Sequence, residues 1–167
     1  MKIAVISDTH DNIINLKKCL DYLNNQGINV LIHCGDISTW NTLKFLRKNF
    51  TGEIYACLGN MDIEPELMAV KAKKMKNINF YSDFGEIEIE GLPILFAHEP
   101  VNLNRYLIKN STPVAFCGHT HKPGLEKVAQ TIVINPGTLS GMFTQATFAI
   151  FDTAVKAPQL ILLSQLK

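Results

Sequence analysis

Residues 117–121 read Cys-Gly-His-Thr-His, so two of the chain's five histidines stand two positions apart at the end of the apolar run Pro113-Val114-Ala115-Phe116-Cys117. Histidines spaced this way serve as metal ligands, as acid–base groups, or as buried polar residues. Partners elsewhere in the chain decide between these roles. "KIAVIS" leads into Ser7-Asp8-Thr9-His10, "INVLIHC" into Gly35-Asp36, "EIYACL" into Gly59-Asn60-Met61-Asp62, and "PILFA" into His98. Short apolar runs of this kind read as buried strands. Five strands therefore deliver Asp, His or Asn at their carboxyl ends, the edge at which open α/β sheets bind ligands. Glycines just before Asp36, Asn60 and His119 let the backbone turn sharply and approach closely.

The set Asp8, His10, Asp36, Asn60, His98, His119 and His121 offers only oxygen and imidazole nitrogen donors. Seven such groups exceed the needs of one tetrahedral ion. They suit two divalent ions of Zn, Mn, Fe or Ni type that share a carboxylate. Two ions roughly 3.5–4 Å apart can clamp a phosphoryl centre and generate a hydroxide at neutral pH. If residues 119–121 stay extended, His119 and His121 point to one side, and each can address a different ion.

These residues need a scaffold, and the pattern between them describes one. Asn12 can cap a helix in which Ile13, Leu16, Leu20 and Leu23 recur at helical spacing. "TLKFLRKNF" has the same periodicity and ends before Thr51-Gly52. Strand and helix alternate through the first half, which predicts parallel pairing with right-handed crossovers. The second half reads as short strands: "NINFYS", "GEIEIEG", "LPILFAH", "PVAFCG", "EKVAQTIVIN", "QATFAIFD" and "PQLILLSQL", with one helix at "NLNRYLIKN". The strict alternation of "GEIEIEG" predicts one wet face. A single α/β domain over residues 1–167 with a mixed or two-layer sheet is expected.

The composition is that of a globular chain: 167 residues, 47% hydrophobic and 19% charged. A net charge of +1 argues against a broad nucleic-acid or acidic-membrane surface. No apolar run approaches the roughly 20 residues that span a bilayer. "MKIAVISDTH" turns polar too soon for a secretory signal, so a cytoplasmic setting is expected. Cys19, Cys34, Cys57 and Cys117 form no C-x-x-C pair and are read as reduced thiols.

With these blocks in view, the chain resembles the calcineurin-like metallophosphoesterases. It is most similar to the small prokaryotic phosphodiesterases of that superfamily, which share a fold with a retromer subunit. "SDTHDN", "HCGDI", "LGNMD", "AHE", "GHTH" and "INPGTLS" follow the family's order along essentially the whole chain. The resemblance implies a four-layer αββα sandwich with mixed sheets. It also implies one ion on Asp8, His10 and His121, another on Asn60, His98 and His119, and Asp36 bridging both. A bridging hydroxide would attack phosphorus without a covalent phospho-enzyme, with Asn60 and His98 as the candidate catalytic residues. Manganese is the first choice of metal, with nickel, iron, zinc and magnesium as alternatives. The implied substrate is a small phosphodiester or nucleotide-like molecule, with no membrane partner, and self-association is left open. The alternatives are a phosphomonoesterase, or a non-catalytic interaction scaffold of the same fold.

Two positions depart from the family's pattern. Met61 stands where many members carry a histidine that protonates the leaving group or steadies the phosphate, and a thioether does neither. His98 is followed by Glu99-Pro100 where a glycine is common.

Several residues have plainer readings. His33, inside "VLIHCG", is expected as a core histidine bonded to a carbonyl. The cysteines beside the motifs are expected to pack as small apolar groups. "KAKKMK" (71–76) is read as a solvated helix face or loop, and Asn135-Pro136-Gly137-Thr138 as a turn without ligands. Asp62 is either a support for Asn60 or a ligand histidine, or a turn acid. Trp40 either walls the pocket or packs.

Overall fold

The computed structural model describes residues 1–108 and 112–166. The apolar runs form strands as their composition requires. In the first half, β1 (Lys2–Ile6), β2 (Val30–His33) and β3 (Glu53–Cys57) alternate with α1 (Ile13–Asn25) and α2 (Trp40–Asn49). α3 (Pro65–Ala72) and β4 (Ile78–Tyr81) follow. The second half holds β5 (Phe84–Ile89), β6 (Leu92–Ala97), α4 (Pro100–Leu107), β7 (Val114–Phe116), β8 (Gly124–Val128), β9 (Thr131–Asn135), β10 (Thr147–Asp152) and β11 (Ala157–Leu162).

Two sheets result. The first has the order β11-β10-β1-β2-β3-β4, and the second β5-β6-β7-β9-β8. As the alternation predicts, β1 to β4 are mutually parallel. β10 closes on β1 antiparallel, which makes this sheet mixed. In the second sheet β6, β7 and β9 are parallel, with antiparallel strands at both edges. The carboxyl ends of β1, β2 and β3 therefore share one edge, as do those of β6 and β7.

Both faces of β1 are buried, and its two faces enter different cores. Ala4 and Ile6 pack with Leu16, Leu20 and Leu23 of α1, while Ile3 and Val5 meet Phe96, Phe116 and Phe151 between the sheets. A smaller cluster of Leu95, Ala97, Ala115 and Val133 lies under Leu103 of α4. These three apolar layers produce the four-layer αββα arrangement.

Local signals explain the boundaries. Asn12 caps α1 by accepting from the Asn15 N–H at 3.1 Å. Pro65 and Pro100 open α3 and α4, where the missing N–H costs nothing. β5 keeps Glu86 and Glu88 exposed while Gly85 and Ile89 are buried.

The structure corrects two strand readings, adds a helix and settles the place of Trp40. "EKVAQTIVIN" is not one strand: it turns at Ala129, whose φ of 54° is left-handed, and becomes the β8–β9 hairpin. "PQLILLSQL" leaves the sheet after Leu162 for a 3-10 turn, Leu163–Gln165. α3 has too weak an apolar stripe for periodicity to show it. Of the helix read in "NLNRYLIKN", residues 109 and 110 lie outside the described part. Trp40 opens α2 and packs against the outer core, with the Lys71 ammonium 5.1 Å from its ring centre.

Phe151 is fully buried between the sheets, edge-on to Phe116 at 5.3 Å. Phe151→Ala is expected to destabilise the protein by about 3–5 kcal/mol. Urea unfolding followed by circular dichroism measures this, and a loss below about 1 kcal/mol would contradict the assignment of this layer to the core.

Candidate metal centre

All seven donor residues meet at the shared strand-end edge. They form a graded site: Asp8, Asp36 and His98 are buried, His10 and His121 are half-buried, and Asn60 and His119 are exposed. Three donor loops come from the first sheet and two from the second, so the centre spans both sheets.

The donors fall into two groups. In one, His10 Nε2 lies 3.2 Å from His121 Nε2, which in turn lies 3.1 Å from Asp8 Oδ1. In the other, Asn60 Oδ1 sits 2.9 Å from His98 Nε2 and 3.0 Å from His119 Nδ1. Asp36 Oδ2 stands between them, 3.6 Å from His10 Nε2 and 3.3 Å from His98 Nε2.

The donor chemistry fits divalent cations. Ligand atoms of Asp8, His10, Asp36 and His121 all lie within 4.8 Å of one another. Asp8 Oδ1 is buried and makes no hydrogen bond, although two imidazole nitrogens are near it. A buried, unpartnered carboxylate oxygen is costly, and a cation offsets that cost.

Neighbouring groups aim the ligands. The Cys34 carbonyl lies 2.8 Å from His98 Nδ1, and the Met142 carbonyl 3.3 Å from His121 Nδ1. When each Nδ1–H donates there, Nε2 is left with its lone pair toward the cluster. Asp8 Oδ2 accepts the His119 N–H at 3.1 Å, and Asp36 Oδ1 accepts the Met61 N–H at 2.8 Å. Each aspartate thereby keeps its other oxygen for the centre.

The backbone reaches this arrangement under strain. Asp8, His10, Asp36, His119 and His121 all have φ between 44° and 69°. The left-handed region is unfavourable for residues with a Cβ, and such strain collects at functional sites. This corrects the expectation of an extended segment: His119 and His121 do enter different groups, but through two left-handed turns beyond β7. The glycine expectation holds. A Cβ at Gly59 would lie 2.2 Å from Asp36 Oδ1, and one at Gly118 1.9 Å from Ser7 Oγ.

Supporting residues were partly missed. Asp62 touches neither Asn60 nor a histidine. It accepts N–H groups from Ser38 at 2.6 Å and Gly59 at 2.7 Å, tying two donor loops together. Burial raises its carboxyl above the usual range, against those two donors. The turn after β9 offers no donor to the cluster and braces Asp8 instead: the Thr138 hydroxyl and Ser140 N–H both reach the Asp8 carbonyl at 3.0 Å. Asn135 Nδ2 donates to the Gly118 carbonyl at 2.8 Å. Only a fold that brings β9 beside β7 reveals these roles.

His33 is buried as expected, but Nε2 meets the Thr9 hydroxyl at 2.8 Å rather than a carbonyl. Desolvation pushes its imidazole down to about 3, so it stays neutral. All four cysteines are buried free thiols, and burial pushes Cys117 up to about 12, so they pack rather than ligate.

Three comparisons extend this picture. The calcineurin-like phosphoesterase superfamily domain matches residues 1–156. A phosphodiesterase of Methanocaldococcus jannaschii is 33% identical over 166 residues, covering 98% of this chain and 99% of the relative. Among solved structures, a novel archaeal phosphodiesterase superposes with a TM-score of 0.87 at 31% identity, over 97% of this chain and 99% of that one. Vps29 of Chaetomium thermophilum superposes with a TM-score of 0.70 at 18% identity, over 96% and 94%, which speaks for the fold alone.

Protonation of the ligands sets a pH dependence. The adjacent Asp8 carboxylate raises the His10 imidazole above its usual value; burial opposes this, and Asp36 adds to it. Burial works to lower His98, but the Asp36 hydrogen bond and charge outweigh it and raise the imidazole. A cation must displace these protons. Affinity is therefore expected to fall as pH drops through the raised values, and uptake near neutral pH should release protons. Calorimetric titration with Mn²⁺ in buffers of different protonation enthalpy counts them, and uptake without proton exchange would contradict the arrangement.

Proposed function

This chain belongs to the calcineurin-like phosphoesterase superfamily, and on that footing we propose that it is a two-metal phosphodiesterase acting at the cluster around Asp36. The reading is carried by one observation: two buried carboxylates face imidazole nitrogens on both sides, and Asp8 Oδ1 has no hydrogen bond. Asp8, His10 and His121 would hold one ion and Asn60, His98 and His119 the other, with Asp36 between them. Manganese fits this oxygen and imidazole set. Two bound cations would supply positive charge for the phosphoryl oxygens and a water activated near neutral pH.

The chain's own residues provide position and charge. His98 and His121 are held in one tautomer and one orientation by carbonyls. The Met61 N–H holds Asp36 Oδ1, which leaves Oδ2 between His10 and His98. Exposed Asn60, with buried His98 2.9 Å behind it, would orient a phosphoryl oxygen.

The charge of the surroundings favours a diester. Residues 7–12, 35–41, 59–64, 98–102, 117–121 and 135–146 contain neither Lys nor Arg. Lys122, the nearest in sequence, lines a separate cavity of about 260 Å³ with Cys117 and Val133. A monoester dianion brings a second charge that these loops do not meet with a cationic partner. The M. jannaschii relative, named a phosphodiesterase, supports the same choice.

Hydrolysis of bis(p-nitrophenyl) phosphate with Mn²⁺, lost on chelation, is the direct test. Asp36→Ala is expected to abolish turnover and the second ion while the fold survives. Circular dichroism and metal analysis follow both. Near-normal turnover in the variant would remove Asp36 from the shared position. A cluster that binds metal yet hydrolyses nothing would favour the interaction scaffold instead.

Met61 decides the leaving-group preference. Its backbone N–H holds Asp36, but its side chain is 56% exposed and has no proton to give. A general acid contributes about 10²–10⁴-fold. The protein is therefore expected to show a steep dependence of rate on leaving-group pKa. Met61→His, which keeps the N–H, should flatten it with metal content unchanged. Equal slopes of kcat/KM across aryl and alkyl diesters would mean that the proton has another source.

A further inference from the structure

The loop between β9 and β10 holds a ring in an unfavourable position. Phe143 is 86% exposed, the most exposed large apolar side chain among the described residues. Its φ is 66°, a conformation that is a genuine outlier for a bulky residue. Both features cost free energy, and the loop is built to keep them. The Met142 carbonyl meets His121 Nδ1 at 3.3 Å, and the Thr144 hydroxyl donates to the His121 carbonyl at 2.8 Å. Ser140 Oγ accepts the Met142 N–H at 3.2 Å and lies 2.7 Å from the Thr138 hydroxyl, which itself reaches the Asp8 carbonyl. The loop is thus fastened to a ligand histidine on both sides of Phe143, and to the Asp8 turn.

The ring lies against that histidine. Its centroid is 5.5 Å from the His121 ring, tilted by 48°. Most of the ring faces solvent beside His121. Met142, in the same loop, is 45% exposed, and no cationic residue occurs between 135 and 146. An exposed aromatic face without charge, on a loop anchored on both sides beside the donor cluster, has the form of a stacking platform.

We infer that Phe143 is the specificity platform for the non-leaving substituent of the phosphodiester, and that this substituent is a flat aromatic group such as a nucleobase or aryl ring. This rests on the phosphodiesterase reading. Phe143 lies beside His121 of one donor group and Met61 follows Asn60 of the other, so a diester seated across Asp36 would send one substituent toward each: the leaving group that departs unaided toward Met61, and the substituent that stays on phosphorus toward Phe143. Stacking on Phe143 raises the occupancy of the productive complex and leaves the chemical step as it is, so its effect lies in KM.

Two substrates with the same p-nitrophenolate leaving group test this: the p-nitrophenyl ester of thymidine monophosphate and methyl p-nitrophenyl phosphate. Both keep an alkyl ester on phosphorus, so they differ chiefly in what can stack. The unaltered protein with Mn²⁺ should favour the nucleoside substrate in kcat/KM by about tenfold or more, the scale of base–aromatic stacking. Phe143→Ala should bring that ratio close to one, through KM, and Phe143→Trp should restore it. Metal content is measured on each variant. A ratio near one in the unaltered protein would overturn the inference and leave the phosphodiesterase reading standing. So would a parallel loss on both substrates with loss of metal, because Phe143 would then only support His121. No turnover of either substrate would overturn the phosphodiesterase reading and this inference with it.

Discussion

Burial of the Asp8 and Asp36 carboxylates at one end of the sandwich is the constraint around which the site is organised. A carboxylate inside a protein is costly unless charge and hydrogen bonds offset the lost water. Asp36 meets this need with the Met61 N–H on one oxygen and His98 on the other, and the result holds its carboxyl below the usual range despite burial. Asp8 is satisfied on Oδ2 by the His119 N–H, while Oδ1 is left to the cluster. His10 and His98 compensate in part, and the two carboxylates raise their imidazoles above the usual range.

Holding those carboxylates has required an unusual backbone. Five of the seven donors are left-handed, and the loops that carry them are tied to one another by backbone hydrogen bonds. The Asp8 N–H reaches the Gly35 carbonyl, the His10 N–H the Asp36 carbonyl, and the Gly118 N–H the His98 carbonyl. Strain of this kind persists only when the surroundings over-determine it. The parallel cores of both sheets supply the surroundings, because they bring five strand ends to one edge and let each loop brace the next. The Phe143 loop belongs to the same system, since its anchors are His121 and the Asp8 turn.

Much of the site was legible before the fold was known, and for a physical reason. A metal donor must be Asp, His or Asn, and a turn at a strand end leaves few positions from which a side chain can reach the edge. Each donor therefore stands within a few residues of an apolar run. Asp62 and the Thr138–Ser140 turn were not legible in the same way. Asp62 has two carboxylate oxygens that could take any nearby N–H, and Thr138 is an ordinary turn residue. Their bracing roles depend on partners distant in the chain, 24 residues away for Ser38 and 130 for Asp8. His33 shows the same limit: its burial followed from the apolar run around it, but its Thr9 partner did not.

The sequence alone determined the chemistry of the site: which side chains could serve as donors, that their atoms are oxygen and imidazole nitrogen, and that the strands carrying them pair in parallel in the first half. These are local properties, set by residue type and by periodicity along a single run. The tertiary structure decided how the donors divide between two groups, which oxygen of each aspartate is free, and that the second sheet supplies two of the three residues of the second group, His98 and His119. It also showed that His119 and His121 separate through left-handed turns rather than along an extended strand. These outcomes depend on contacts between residues far apart in sequence, where close approach of backbone to backbone, as at Gly59 and Gly118, outweighs the local preference of each residue.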